Sequence, residues 1–338
     1  MAKKAITKMP GPFIHNIDPI IFTLSGVHVW WYGISFSLGF LNLHLFLRRY
    51  RESIALHLAQ TYNLTLFIAF GILIGGRALI VINNEWTFYR EFPELIPAIW
   101  VGGFATHGLI IGGTAGVIIF CLIYKVPFRP VLDILAISAA MILAFGRIGN
   151  FIDGQIYGSL TDMPWGVKFP NVEGFRHPVV LYDGLKNLLI VPLLLWLRSR
   201  GLPPGRLAAI FVILYAGLRI PIDTFREYPI TNFGIPTGQM LNIIMLAIGI
   251  ILFAINLYRF RSGVSKAVVE KQPDKSHGHL VQKFAFAVCL IAPLVIPSDA
   301  TRDAPYTYGK RHAGLQYSWM YPAIQDDLMR TAESPKGR

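Results

Sequence analysis

Residues 104–123 read FATHGLIIGGTAGVIIFCLI, and this stretch decides the class of fold. Its twenty positions hold no Asp, Glu, Lys or Arg, and as a helix they would cross the ~30 Å hydrocarbon core of a bilayer. Working outward, comparable apolar runs lie near 27–47, 64–83, 131–147, 183–198, 206–223 and 236–257. Across 338 residues the chain is 54% hydrophobic and only 15% charged, too little polar sequence to cover a water-soluble core. The reading is an all-α polytopic membrane protein of about seven transmembrane helices.

The net charge of +12 is a matter of location, not of nucleic-acid binding. Arg48, Arg49 and Arg51 follow the first span, Lys125 and Arg129 the third, Arg198, Arg200 and Arg206 the fifth, and the basic segment 259–275 the seventh. Counting alternate connections puts all four basic segments on one side, the cytoplasmic side by the positive-inside rule. The N-terminus and connections 84–103, 148–182 and 224–235 then face outward, although Lys3, Lys4 and Lys8 run against that assignment. Residues 1–26 form an outward N-terminal segment, and 27–258 the transmembrane domain, with a small outward cap at about 148–182. Residues 259–338 make a basic linker, a short apolar segment and a polar tail. The apolar run 284–297, interrupted by Pro293, reads either as an eighth span or as an interfacial segment. Cys121 and Cys289 lie inside apolar runs without metal-type spacing.

Charges within apolar helices carry the most information, since each costs about 2.5–3.5 kcal/mol on insertion scales and needs a partner or a function. Tyr215, Arg219, Asp223 and Arg226 follow at spacings of four, four and three, which places them on one helical face. Arg219 and Asp223 can form a structural pair; Arg226 adds a positive charge suited to an anion. Arg147 lies in FGRIGNFIDGQIYG, residues 145–158, where Gly146, Gly149 and Gly158 permit close backbone approach and Asn150 both donates and accepts. It reads as a bidentate phosphate ligand or as a snorkelling side chain. His107 opens the third span beside Gly108, Gly112 and Gly116, a small-residue ridge for a neighbouring helix. It is either a general base or a structural hydrogen-bonder. Trp30, Trp31, Tyr32 and Gly33 form an aromatic entry to the first helix, in which the two tryptophans read as an interfacial belt, and Arg77 is another intramembrane charge whose partner the sequence does not name.

Taken in order, these strings resemble the bacterial prolipoprotein diacylglyceryl transferases. The resemblance runs from about Trp31 to Leu257. It begins with Trp31-Tyr32-Gly33, Gly75-Gly76-Arg77 and His107-Gly108, and then Asp133 leads into Gly146-Arg147-Ile148-Gly149-Asn150-Phe151-Ile152. It continues through Pro164-Trp165, Arg176-His177-Pro178 and Leu181-Tyr182 to Tyr215, Arg219, Phe225-Arg226 and Gly238-Gln239-Met240-Leu241. The resemblance implies a transferase in the bacterial cytoplasmic (inner) membrane, with 27–258 as its catalytic domain and its active site toward the outer face. It implies transfer of the diacylglyceryl group of phosphatidylglycerol to the lipobox cysteine of a prolipoprotein, with thioether formation and release of glycerol phosphate. Arg147 and Arg219 would neutralise the phosphate, His107 would take the thiol proton, and Tyr32, Asn150 and Gly158 would orient the head group. Asp223, Arg226 and Tyr215 would complete the site, and no metal or organic cofactor is called for.

Some positions depart from the family pattern: Gln155, Asp183 and Asp223 where glutamate is common, Val180 in place of glutamine, and Leu109 in place of glycine. These departures keep a second reading open, a non-catalytic phospholipid-binding or lipid-moving paralogue. An anion transporter fits the buried arginines but not the ordered set of strings.

Overall fold

A computed structural model of the chain describes residues 12–296 except 85, 102, 155, 171, 227–230, 233 and 262–279. Helix α1 spans Trp31–Tyr50, α2 Leu58–Leu79, α3 the single turn Trp86–Tyr89, α4 Thr106–Tyr124 and α5 Phe128–Ile152. They are followed by α6 Val179–Ser199, α7 Arg206–Asp223, α8 Thr237–Arg261 and α9 Leu280–Ile291. All seven expected spans coincide with long helices. Among the described residues, five segments are apolar and long enough to cross a membrane: Leu58–Ile82, Thr106–Tyr124, Phe128–Ile152, Val179–Ser199 and Gly238–Phe260. Helix α7 falls outside that set because its 18 residues include Arg206, Arg219 and Asp223, the last two buried against neighbouring helices. Residues 1–11 of the expected N-terminal segment, residues 262–275 of the basic linker and the tail from 297 lie outside the described residues.

The first span begins later than expected. Residues 27–30 are strand β3 (Val27–Trp30), paired antiparallel with β2 (Ile20–Leu24) through a turn at Ser25 and Gly26, whose φ values are 49° and 80°. Strict hydropathy cannot separate an apolar strand from the apolar helix it feeds, and the turn, not the composition, sets this boundary.

Helices α2 and α4 pack backbone against backbone. A Cβ on Gly71 or Gly75 would collide with the main chain at Gly112 and Gly108, and one on Gly116 with the carbonyl of Phe67. The glycine ridge expected on α4 thus meets a matching ridge on α2, a contact driven by close van der Waals packing where lipid offers no hydrophobic gain. Apolar side chains complete the bundle: Leu43, Leu47, Leu64, Phe120 and Ile134 join α1, α2, α4 and α5. Ile137, Ala140, Ile190, Leu194 and Leu207 join α5, α6 and α7.

The basic connections converge at one end. Arg198 lies over the Tyr50 ring at 4.2 Å, and its Nη2 donates to Ser53 at 3.5 Å. Asp133, buried in the first turns of α5, accepts from the backbone N–H groups of Gly205 (2.6 Å) and Ala208 (2.8 Å) and so caps α7. Arg206 donates to Asn256 at 3.0 Å, bringing in the last turns of α8.

At the opposite end Arg77 is a structural anchor. Its guanidinium donates to the carbonyls of Leu95 (2.7 Å) and Ile96 (2.9 Å) and lies over Tyr89 at 4.9 Å, gathering the 84–103 connection. The 148–182 connection draws in the N-terminal segment. Strand β1 (Phe13–Ile14) pairs parallel with β4 (Val167–Lys168), and His15 Nε2 donates to the Phe151 carbonyl at 2.6 Å.

Helix α9 packs along α1 and α2. Phe286 packs on His44 with ring centroids 4.2 Å apart, Ser37 donates to the Leu290 carbonyl at 2.7 Å, and a Cβ on Gly33 would strike Pro293 and Leu294. These contacts climb α1 from His44 back to Gly33, so α9 is antiparallel to α1 and Ile296 ends near the Arg77 end. The apolar run 284–297 thus falls in α9 and the 3-10 turn at Ala292–Val295 that follows it.

Candidate functional site

The site begins with a charge that hydrocarbon would not tolerate alone. Asp183 sits in the first turns of α6 and is fully buried. Arg147, from the last turns of α5, donates through Nε to Asp183 Oδ2 at 2.5 Å. Arg219, from α7, reaches the same Oδ2 through Nη1. Lys186, one turn along α6, places Nζ 2.8 Å from Asp183 Oδ1. One carboxylate therefore holds three cations from three helices, the arrangement that makes buried charges tolerable.

Around this hub each cation has a second partner. Arg219 Nε lies 2.9 Å from Asp223 Oδ1, the within-helix pair expected from their spacing of four. Arg147 Nη1 donates to Asn150 Oδ1 at 3.0 Å, which leaves Nη2 without a protein acceptor among the described residues. Lys186 donates to the Tyr215 carbonyl at 3.2 Å and lies 4.0 Å from the centre of its ring. Asn242, in the first turns of α8, donates to Asp223 Oδ2 at 2.8 Å. His107 opens α4 within side-chain hydrogen-bonding reach of Asn242 and within electrostatic range of Arg219, Asp223 and Arg147. Asn242 gives one amide N–H to Asp223, and its carbonyl oxygen can accept from the imidazole. Five helices thus contribute to one buried polar layer.

The remaining residues singled out in the sequence stand around that layer. Gly149 lets α1 approach α5: a Cβ there would meet Tyr32 Cα at 2.9 Å and Ser35 Oγ at 2.5 Å. Gly146 packs against Phe36, whose ring centroid is 4.7 Å from that of Tyr32. Tyr32 therefore abuts α5 at Gly149, two residues from Arg147. Gly158 bridges Arg226, and a Cβ on it would meet the Phe225 carbonyl at 2.5 Å. Helix α7 ends at Asp223, and the N–H groups of Phe225 and Arg226 bond three residues back, to Ile222 and Asp223 at 3.1 Å each. Arg226 consequently approaches from this turn above the layer, not from the helix face of Arg219. Arg77 is not part of the cluster.

Sequence reasoning missed Lys186 and Asn242, and treated Asp183 only as a departure from a pattern. The signal for the first was present: Asp183 and Lys186 are opposite charges three apart inside an apolar helix, the same kind of signal that flagged Arg219 and Asp223. Asn187, one turn beyond Asp183 and fully buried, has no hydrogen-bond partner for either amide atom among the described residues. Gln155 and Gly102 lie outside the described residues.

Beside Arg147 a cavity of about 280 Å³ opens between α5 and α6, lined by Ile148, Val180, Gly184, Leu185 and Leu188. Ile148, Leu185 and Leu188 are exposed on the outer surface of the bundle, where acyl chains would surround them. Gly184 keeps the wall thin, since a Cβ there would stand 3.2 Å from Arg147 Cβ. The cavity is apolar apart from its arginine, a shape for a ligand with one anionic group and a hydrocarbon body. Among the described residues no group of three or more His, Cys, Asp or Glu could hold a metal ion.

Comparison with known proteins gives a consistent result. The profile of the family described as Prolipoprotein diacylglyceryl transferase matches residues 19–255. A phosphatidylglycerol–prolipoprotein diacylglyceryl transferase of Legionella pneumophila (strain Lens) is 34% identical over 248 residues, 70% of this chain and 96% of the relative. Proteins of the same name from Rhizobium meliloti and Desulfotalea psychrophila are 36% and 34% identical over 244 and 255 residues. Those alignments cover 68% and 70% of this chain, and 87% and 92% of the respective relatives.

Proposed function

The chain belongs to the prolipoprotein diacylglyceryl transferase family, and on that premise we propose that it moves the diacylglyceryl group of phosphatidylglycerol onto the lipobox cysteine of prolipoproteins. The observation that carries this reading is the convergence of Arg147 and Arg219 on Asp183 at the end of the bundle opposite the basic connections. The site then faces outward across a bacterial inner membrane, where a secreted prolipoprotein presents its cysteine.

The reaction is displacement at carbon. The cysteine sulfur attacks the glyceryl carbon that bears the phosphate, a carbon–sulfur bond forms, and the carbon–oxygen bond breaks. Its electron pair leaves with the phosphate oxygen as glycerol phosphate. Two demands follow: a thiolate must be generated, and a second negative charge developing on the phosphate must be stabilised. Arg147 and Arg219, desolvated and fixed in place, meet the second demand, with Nη2 of Arg147 available to donate. His107 meets the first. Asn242 would take its N–H and orient the ring, which leaves the other nitrogen to accept the thiol proton. Tyr32, Asn150 and the Gly158 turn with Arg226 orient the head group, and the groove between α5 and α6 accommodates an acyl chain.

The test is direct. Membranes containing the protein should shift a lipobox peptide to the mass of its diacylglyceryl thioether when phosphatidylglycerol is supplied. They should release glycerol phosphate in equal amount. Lipid binding without that product would favour the non-catalytic alternative.

A further inference from the structure

Lys186 is the one cation of the buried cluster that the reaction as written does not use. Its ammonium lies behind Asp183 as seen from the cap, bound to Oδ1, to the Tyr215 carbonyl and over the Tyr215 ring, and it is almost wholly buried. Placing a third cation there is costly unless the charge itself is needed. Summed over the layer, Arg147, Lys186 and Arg219 oppose Asp183 and Asp223, three positive charges against two negative. Without Lys186 the two guanidiniums would be fully neutralised by the two carboxylates. An incoming anion would then meet no net attraction in a place where water cannot screen it.

We propose that Lys186 is a positioning residue for donor selection. By drawing on Asp183 from behind, it leaves Arg147 and Arg219 with one uncompensated positive charge, which selects a monoanionic phosphodiester lipid over a zwitterionic one. Phosphatidylglycerol carries one negative charge. Phosphatidylethanolamine adds an ammonium that an excess cation repels. Lys186 needs no contact with the lipid to do this, because its field acts through the shared carboxylate.

This rests on the transferase reading, and the experiment separates the two. Wild type, Lys186→Met and Lys186→Arg are compared in mixed micelles of phosphatidylglycerol diluted into phosphatidylcholine, with a lipobox peptide as acceptor. Met keeps the length and removes the charge; Arg keeps the charge. For Lys186→Met the apparent KM for phosphatidylglycerol should rise roughly fifteen- to thirty-fold, the factor for a unit charge about 8–10 Å from the phosphate at an effective dielectric near 20. Its kcat should change less than about three-fold, and Lys186→Arg should recover most of the KM. Added phosphatidylethanolamine should inhibit Lys186→Met more than it inhibits wild type. If Lys186→Met fails to accumulate, Lys186→Gln, which keeps a donor for Asp183 and the Tyr215 carbonyl without the charge, supplies the comparison and should show the same rise in KM. An unchanged KM in Lys186→Met, or a loss confined to kcat and shared by Lys186→Arg, overturns the inference while the transferase stands. Absence of any thioether product from wild type overturns both.

Discussion

Replacing Asp183 by asparagine keeps the shape of the side chain and removes the single charge that three cations share. The carboxylate is fully buried, with Arg147 at 2.5 Å, Lys186 at 2.8 Å and Arg219 on the same oxygen as Arg147. Removing one partner of a buried ion pair costs about 3–5 kcal/mol, because the remaining charge stays in place without its counter-ion. Here three cations would be left with Asp223 alone, so the loss should fall at the upper end, about 5 kcal/mol. Thermal unfolding of the detergent-solubilised protein should show a midpoint lower by at least about 5 °C. Asp183→Glu, which retains the charge on a longer stem, should lose less than half as much. An Asp183→Asn protein as stable as wild type would refute the hub role of Asp183, and the assembly of the site with it.

Three further outcomes follow from the packing. Gly112→Val should force α2 and α4 apart, since even a Cβ collides with the Gly71 carbonyl; a loss of about 2–3 kcal/mol or more would appear as a lowered unfolding midpoint. Arg77→Met should strand the carbonyls of Leu95 and Ile96 and cost about 1.5–3 kcal/mol, seen as faster limited proteolysis between residues 90 and 103. Phe286→Ala should loosen α9 by removing its contacts with Phe40, His44 and Tyr62. Maleimide labelling of the half-buried Cys289 should then accelerate while that of the buried Cys121 does not.

The parts of the fold legible in the sequence are those written in local periodicity and composition. Seven apolar runs became seven long helices because burying a backbone in lipid leaves helix as the simplest way to satisfy every N–H and C=O. The alternation of basic connections predicted a shared end, and Arg198, Arg206 and Asp133 meet there. What escaped were features fixed by tertiary contact. The β2–β3 hairpin hides inside an apolar run because Val27 and Val29 score alike in strand and helix. The partners of Arg77 are backbone carbonyls, which carry no sequence signature. The direction of α9 depends on where Gly33 leaves room. Within the site, Arg219 and Asp223 were legible because they are four apart on one helix. Arg147 and Asp183 are 36 residues apart, and only the adjacency of α5 and α6 joins them. Lys186 carried the same warning as the other intramembrane charges, and Asn242, a neutral amide, carried none.

The central claim is that a lipid phosphate lodges between Arg147 and Arg219. Native mass spectrometry of the protein released from phosphatidylglycerol-containing nanodiscs measures that occupancy directly. Wild type should retain one phosphatidylglycerol per chain, and Arg147→Ala and Arg219→Ala should each lose it while remaining folded. Equal retention of the lipid by wild type and both folded variants would contradict the account.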